Sequence, residues 1–343
     1  MPRKEKSILI IYTGGTIGMI KNEANVFVPF NFDNLLKYIP LLKNFPTNIE
    51  LYSFENPIDS SNVNPDFWKK LVEVIYSNYD CYDGFVVLHG SDTMAYTASA
   101  LSFMLENLNK PVILTGSQLP IGLIRTDGRE NLIASLEIAS ATNSNEKPIV
   151  PEVCIYFENF LFRGNRTHKY NAENFKAFIS PNYPALAEVG INIKYHNQSI
   201  KKQGIDFLIP HYELDNNIAI LQLFPGINQN VVKSIFNIPD LKAVILETFG
   251  SGNAPTDEWF INQIKDAIIK GIIVVNISQC EAGSVVQGKY ETSVKLGEIG
   301  VIGGKDMTTE AALSKLMYLL GLGLSKKDII KLMSISLRGE ISE

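Results

Sequence analysis

Short, continuously apolar segments recur along the first half of the chain, with longer amphipathic segments between them. Four of them, at 8–12, 85–89, 112–116 and 153–157, are rich in β-branched and aromatic residues, which is typical of strands covered on both faces. Between the second and the third, apolar residues recur every three or four positions, which predicts a helix. Because a helix that joins two buried strands forms a βαβ unit, we expect a parallel sheet with helices on both faces.

A second series of the same kind begins after residue 215. Its apolar segments predict strands at 218–224, 243–249 and 272–278, and its amphipathic segments predict helices that include 257–270 and 308–320. A stretch rich in Pro, Asn, Lys and Gly separates the two series, which indicates a domain boundary.

The predicted fold class is therefore α/β, with two α/β domains. We expect a larger N-terminal catalytic domain over 1–190, whose parallel sheet carries the active site at the carboxyl ends of its strands. A linker over 191–214 and a smaller C-terminal α/β domain over 215–343 complete the predicted organisation.

Composition narrows the function classes. The chain has 343 residues, of which 45% are hydrophobic and 20% charged, as in ordinary soluble enzymes. Its net charge of -5 argues against nucleic acid as a partner, since phosphate binding favours a basic face. No apolar run approaches the roughly 18 residues of a membrane span, and the run after the basic N-terminus is too short for a signal peptide. We therefore expect a cytoplasmic protein that binds no membrane.

The cysteines and histidines give no sign of a metal or disulfide site. The three cysteines, Cys81, Cys154 and Cys280, are far apart and form no Cys-x-x-Cys motif. The four histidines lack the spacing of metal ligands. These residues therefore give no reason to expect a metal.

Polar residues follow three of the predicted strands at the point where each strand ends. The first strand leads into Thr13–Thr16, the second into His89–Thr93 and the third into Thr115–Gln118. In open parallel sheets, ligands bind beyond the carboxyl ends of the strands. The convergence of glycines, hydroxyls and one carboxylate on one edge therefore predicts a binding or catalytic site there.

The glycines of the first turn do not match a phosphate-binding motif. Gly14, Gly15 and Gly18 have the wrong spacing for a dinucleotide fingerprint, and no Gly-Lys-Ser/Thr triplet follows them. Taken alone, the polar residues also have simpler explanations. Thr16 fits an ordinary turn, while Ser91 or Asp92 fits a helix N-cap. A lysine such as Lys169 is usually a solvated surface residue.

Six segments together resemble the bacterial-type L-asparaginases, and the cytoplasmic type I branch matches best. The resemblance covers essentially the whole chain. It implies two α/β domains, no cofactor or metal, and a homodimer or homotetramer whose sites lie at an intimate dimer interface. The segments are YTGGTIGM (12–19), DSSNVNPDFW (59–68), DGFVVLHGSDTMAYTASALSFMLENL (83–108), PVILTGSQLP (111–120), FRGNRTHK (162–169) and GVIGGKDMTTEAALSKL (300–316).

The resemblance implies hydrolysis of L-asparagine to L-aspartate and ammonia through a covalent acyl-enzyme. Thr16 matches the primary nucleophile. Asp92 matches a residue that orients Lys169, and Lys169 with Ser91 relays protons to the nucleophile or to the attacking water. Tyr290 completes the implied catalytic set.

The family pattern also implies a substrate pocket. Ser60 and Asp92 match the residues that bind the α-carboxylate and the α-amino group of the substrate. Ser61, Gly90 and Ser117 match residues that complete the pocket. The backbone N–H groups of Gly15, Gly90 and Ser117 are candidate oxyanion or carboxylate donors.

This sequence departs from the family pattern at two positions. Ser91 stands where a threonine is usual, so the hydroxyl is kept but the methyl that restricts its rotamers is lost. Phe27 stands where many members have a loop tyrosine that hydrogen-bonds the nucleophile. Tyr290 matches a tyrosine that substitutes for it from the C-terminal domain of a neighbouring subunit in some type I relatives.

Two other functions are compatible with this fold. A glutamine amidase subunit of a tRNA-dependent amidotransferase would carry an extra N-terminal domain, whereas only a short leader precedes Thr13 here. A non-catalytic amino-acid-binding relative would be expected to have lost Thr16, Asp92 or Lys169. All three residues are present, which favours the enzyme.

Overall fold

The computed structural model describes residues 6–21, 27–29, 39–288 and 291–342. Contacts divide the chain into two compact units, which we call unit 1 (residues 1–180 and 184–212) and unit 2 (residues 181–183 and 213–343). Most of the stretch that the sequence marks as a linker, up to residue 212, belongs to unit 1 by its contacts. The sequence-based domain bounds remain a prediction.

Unit 1 contains a large mixed sheet and three described helices. Its strands are β1 (Ser7–Gly14), β2 (Met19–Lys21), β3 (Phe27–Pro29), β4 (Asn48–Ile58), β5 (Gly84–Leu88), β6 (Leu105–Glu106), β7 (Val112–Thr115), β8 (Val153–Phe157), β9 (Phe160–Arg163), β10 (His168–Lys169), β11 (Phe178–Ile179), β12 (Ala187–Val189), β13 (Ile193–Tyr195) and β14 (Ile209–Pro210). Its helices are α1 (Pro65–Ser77), α2 (Met94–Met104) and α3 (Gly128–Ser140).

The large sheet has the strand order β13-β12-β9-β8-β7-β5-β1-β4. Strands β4, β1, β5, β7 and β8 run parallel, as predicted for β1, β5, β7 and β8, whereas β4 was not predicted from the sequence. The α/β fold class is confirmed. The next strand, β9, runs antiparallel to β8, so the sheet is mixed rather than purely parallel. Only Glu158 and Asn159 join these two strands, and both have a positive φ. A two-residue connection of this kind forms a tight hairpin, which forces antiparallel pairing.

The core of unit 1 lies on both faces of its parallel strands. All five residues of β5 are buried, because helices pack on both sides of the sheet. Helix α2 is buried on almost every face. It ends at Met104, although the apolar residues spaced as in a helix continue to Leu108. The chain turns there because Leu105 and Glu106 pair with β14 instead, and Asn107 adopts a positive φ.

Unit 2 contains a four-stranded parallel sheet of order β15-β16-β17-β18. Its core joins apolar residues of the strands, such as Val244 and Val274, to the buried faces of its helices. The strands are β15 (Ile218–Gln222), β16 (Ala243–Thr248), β17 (Ile273–Ser278) and β18 (Ile302–Gly303), and the described helices are α4 (Gln229–Phe236), α5 (Glu258–Ile269), α6 (Glu291–Glu298), α7 (Thr309–Gly321) and α8 (Lys326–Met333).

Neighbouring strands of unit 1 carry the predicted site. Strands β7, β5, β1 and β4 are consecutive in the sheet, so the turns at their carboxyl ends lie side by side. Among the helices of the described residues, none is long and apolar enough to cross a membrane.

Candidate active site

The turns after β1 and β5 pack against each other backbone to backbone. Gly15 has φ +87°, and a Cβ on it would lie 2.5 Å from the backbone nitrogen of Gly90. Gly14 has φ +128°, and a Cβ there would lie 2.1 Å from the carbonyl oxygen of Ile58. A larger residue at Gly15 would separate the turns after β1 and β5, and a larger residue at Gly14 would push β1 away from the end of β4, so each glycine is required for its own close approach. The hydroxyl of Thr13 adds a hydrogen bond of 2.9 Å to the carbonyl oxygen of Leu88.

Thr16 begins a short 3-10 turn that spans Thr16–Gly18. The residue is partly exposed, whereas Ile17 and Gly18 are buried. The amide of Gly18 donates to the carbonyl of Gly15 over 3.2 Å, and the amide of Met19 donates to the carbonyl of Thr16. The glycines therefore present a threonine at the sheet edge, beside the Gly90 turn.

Ser60 lies against Gly90 from the other side. It is only 4% exposed, and a Cβ on Gly90 would lie 2.5 Å from its Oγ. The hydroxyl of Thr93 donates to the carbonyl of Ser60 over 2.6 Å. Ser61 is exposed, and both its amide and its hydroxyl donate to Oδ1 of Asp59, at 2.8 and 2.7 Å. These hydrogen bonds from Ser61 lower the pKa of Asp59.

Lys169 contacts two residues of the turn after β5. Its Nζ lies 2.8 Å from Oγ of Ser91 and 2.6 Å from Oδ1 of Asp92. The lysine side chain is 14% exposed and the Asp92 side chain is 66% exposed. Lys169 lies on β10, where it pairs with Phe178 of β11. The structure thus brings together three side chains that are up to 78 residues apart in sequence.

Gln118 joins this cluster, although its role was not predicted from the sequence. The hydroxyl of Ser91 lies 3.4 Å from its Oε1, and its Nε2 donates to the carbonyls of Ala172 and Asn174 at 3.3 and 2.9 Å. It therefore links the turn after β7 to the segment that follows Lys169. Its place at a strand end was the available signal, but a glutamine there does not by itself indicate a contact with Ser91.

Ser117 is 2% exposed, and its hydroxyl donates to the carbonyl of Leu119 over 2.6 Å. The carboxylate of Asp127 accepts hydrogen bonds from the amides of Gln118 and Leu119. Burial raises the pKa of Asp127 despite these hydrogen bonds. In addition, Asn131 donates to the carbonyl of Gly116 over 3.0 Å. Polar residues at the start of α3 therefore shape the turn that carries Ser117.

A buried chain of hydrogen bonds ends at Gly90. The indole nitrogen of Trp68 lies 2.9 Å from the hydroxyl of Thr97, which lies 3.0 Å from Nε2 of His89. Nδ1 of His89 lies 2.7 Å from the carbonyl of Gly90. Because an indole only donates and a carbonyl only accepts, the neutral imidazole carries its proton on Nδ1 and Thr97 donates to Nε2. Burial lowers the pKa of His89 to about 4, which keeps the ring neutral.

The predicted tyrosine contributed by a neighbouring subunit cannot be placed in this geometry. Tyr290 lies outside the described residues, as does the side chain of Phe27, whose backbone belongs to β3. In the described part of the chain, no group of three or more His, Cys, Asp or Glu side chains could hold a metal ion.

Both units match known family models. The N-terminal asparaginase model matches residues 7–201, and the glutaminase/asparaginase C-terminal domain model matches residues 217–333. The chain is 44% identical over 343 residues to L-asparaginase 1 of Escherichia coli K12, with 99% of each chain covered. It is 40% identical to the 60 kDa lysophospholipase of Mus musculus, over 98% of this chain and 63% of that protein.

A solved L-asparaginase structure has the same fold as this chain. The crystal structure of L-asparaginase I from Vibrio cholerae superposes with a TM-score of 0.90 at 40% identity, covering 99% of this chain and 100% of that one. The family models cover most of the chain, and the E. coli relative is similar over its full length. This chain belongs to the L-asparaginase family of enzymes.

Proposed function

We propose that this enzyme hydrolyses L-asparagine to L-aspartate and ammonia, with Thr16 as the nucleophile of a covalent acyl-enzyme. The observation that carries the proposal is the contact of Lys169 with Ser91 and Asp92, on a turn packed directly against the turn of Thr16. A hydroxyl, a relay for its proton and nearby backbone donors are the parts that acyl transfer requires. The name of the E. coli relative agrees with asparagine as the substrate.

In the first step, the Thr16 oxygen attacks the side-chain amide carbon of asparagine. The threonine proton passes through Ser91 and Lys169 towards the leaving nitrogen. The C–N bond then breaks, ammonia leaves, and an aspartyl ester remains on Thr16. The exposed Asp92 carboxylate orients Lys169 for this transfer, because its hydrogen bond of 2.6 Å fixes the position of Nζ.

In the second step, water attacks the ester carbon and the bond to the Thr16 oxygen breaks. Lys169 with Ser91 takes the proton of the attacking water, and a proton returns to Thr16. The products are L-aspartate and the restored enzyme. The backbone N–H groups of Gly15, Gly90 and Ser117 are the candidate donors to the developing oxyanion or to the substrate carboxylate.

The substrate is held at both of its α-groups. Ser60, which is buried beside Gly90, binds the α-carboxylate, and Asp92 binds the α-ammonium. Ser61 and Ser117 complete the pocket wall. In the free enzyme their hydroxyls are bonded to Asp59 and to the Leu119 carbonyl, so we propose that they act mainly by shaping the pocket.

The active form is proposed to be a cytoplasmic homodimer or homotetramer. Tyr290 of a neighbouring subunit supplies the phenol that Phe27 lacks. No nucleic acid and no membrane take part, in keeping with a net charge of -5.

The first test is ammonia release from L-asparagine and from L-glutamine by the wild type, Thr16→Ala and Thr142→Ala. Thr142 is a matched control, since it accepts a hydrogen bond from Lys6 and takes no part in the proposed chemistry. We expect wild type and Thr142→Ala to release ammonia from asparagine, and Thr16→Ala to lose at least about a thousandfold in kcat because the nucleophile is absent. Acid-quenched wild type should gain the mass of one aspartyl group by mass spectrometry.

Two outcomes would contradict the proposal. Turnover by Thr16→Ala at a rate near that of the wild type would remove the nucleophile assignment. An absence of ammonia release from either amide by the wild type would favour a non-catalytic amino-acid-binding protein.

A further inference from the structure

The Thr16 turn is anchored on its upstream side by the glycine contacts, but its downstream side needs anchors of its own. The carbonyl of Ile17 accepts a hydrogen bond from the amide of Ile121 over 3.3 Å. The carbonyl of the next residue, Gly18, accepts from the hydroxyl of Tyr12 over 3.2 Å. Both acceptors belong to buried residues, so each carbonyl depends on its protein donor.

The position of Tyr12 in the sheet holds its hydroxyl against the carbonyl of Gly18. It is 1% exposed and lies on β1, which pairs with β4 on one side and with β5 on the other. Its ring also fills the place of a side chain at Gly18, where a Cβ would lie 2.2 Å from the phenol oxygen. Burial raises the pKa of Tyr12 to about 12, so the hydroxyl remains a donor.

We propose that Tyr12 is a positioning residue for Thr16: its phenol closes the chain back onto β1 after the turn and holds the nucleophile in place. This inference rests on the proposed role of Thr16. The seven residues from Tyr12 to Gly18 form a closed loop with Thr16 near its centre, tied at both ends to β1.

The test is Tyr12→Phe, which keeps the ring against Gly18 and removes only the hydroxyl. A nucleophile displaced by a fraction of an ångström slows chemistry more than binding, so we expect kcat for asparagine to fall about 10- to 100-fold. We expect KM to change less than about twofold, because no substrate-binding residue is touched. Tyr156→Phe is the matched control, since Tyr156 is also a buried tyrosine and its pKa is also raised to about 12.

A second readout separates positioning from a general loosening of the site. With hydroxylamine present, the aspartyl ester partitions between water and hydroxylamine, and the ratio of aspartate to hydroxamate depends only on the second step. We expect Tyr12→Phe to keep the wild-type ratio while its turnover falls. A changed ratio would show that the whole site is disturbed and would overturn the positioning role.

Hydrogen exchange provides a readout that does not depend on the proposed function. The amides of Gly18 and Met19 close the Thr16 turn, and we expect both to exchange faster in Tyr12→Phe but at the wild-type rate in Tyr156→Phe. If the Gly18 and Met19 amides of Tyr12→Phe exchange at the wild-type rate and its kcat is also that of the wild type, the role of Tyr12 is overturned. The proposed function would be unaffected by that result. If Thr16→Ala proves active, the nucleophile assignment fails, and the exchange rates still decide whether Tyr12 holds the turn.

Discussion

Ser91 is one of the two positions at which the sequence is expected to depart from the family pattern. Its hydroxyl lies between Nζ of Lys169 and Oε1 of Gln118, at 2.8 and 3.4 Å. These two partners orient the hydroxyl, a task that the methyl of a threonine performs by restricting χ1. For the proposed relay, the contact with the glutamine is a physical reason why a serine would suffice at this position.

We predict that Ser91→Thr keeps kcat for asparagine within about threefold of the wild type, since the hydroxyl is retained and the site is partly exposed. Ser91→Ala should lower kcat by roughly 100-fold or more, because it interrupts proton transfer. Steady-state ammonia release measures both variants. Wild-type kcat in Ser91→Ala would exclude this serine from the relay.

The ion pair of Lys169 with Asp92 positions the lysine side chain but adds little to the free energy of unfolding. The Asp92 side chain is 66% exposed, and exposed ion pairs contribute only about 0–1 kcal/mol to folding. Removal of this carboxylate is therefore expected to affect turnover far more than the free energy of unfolding.

At the scale of elements, α1, α2 and the turn after β5 are joined by the chain from Trp68 through Thr97 to His89. Trp68 donates to Thr97, Thr97 donates to Nε2 of His89, and Nδ1 of His89 donates to the carbonyl of Gly90. The imidazole can accept from Thr97 only in its neutral form. The pKa of His89 is about 4 in the folded unit and about 6.5 in the unfolded chain. Between these two pH values the ring is therefore protonated in the unfolded chain and neutral in the folded unit. Stability from the neutral ring is therefore complete above pH 6.5 and is lost as the pH falls towards 4.

We predict that His89 makes unit 1 lose about 3 kcal/mol of unfolding free energy between pH 6.5 and 4, at 1.36 kcal/mol per pKa unit. His89→Gln should show a flatter pH dependence over this range. The measurement is urea unfolding monitored by Trp68 fluorescence in a Trp259→Phe background, which removes the second of the two tryptophans. Parallel pH profiles for the two proteins would show that His89 is not the source.

At the scale of the whole molecule, the proposed assembly makes each site depend on two chains. Thr16→Ala and Tyr290→Phe then damage the same site from different subunits. When the two variants are mixed and allowed to exchange subunits, a mixed dimer contains one site with both native residues.

We therefore predict that mixing the two variants restores activity, up to about a quarter of the wild-type value for random pairing in a two-fold dimer. Each variant incubated alone under the same conditions is the control. Ammonia release from asparagine is the measurement. A mixture no more active than the mean of its components would place Tyr290 outside the neighbour's site.

Several elements, and the chemistry available at one sheet edge, could be predicted from the sequence alone. The strands β1, β5, β7 and β8 and the helix α2 were predictable because apolar periodicity is a local property of the chain. The strand-end positions of Thr16, Ser91 and Ser117 followed from the same pattern, and the resemblance assigned their proposed roles. The turn at Glu158 and Asn159 was not anticipated, and it makes the sheet mixed.

Which polar groups contact each other depends on the packing of the folded chain. Trp68 and Thr97 are 29 residues apart, and Ser91 and Lys169 are 78 apart, so no local pattern predicts their hydrogen bonds. The contact of Tyr12 with Gly18 is short in sequence but depends on β1 being held between two strands. The physical reason is the same in each case. Periodicity reports which face of an element is buried, whereas the partner of a buried donor is set by the packing of elements that are distant along the chain.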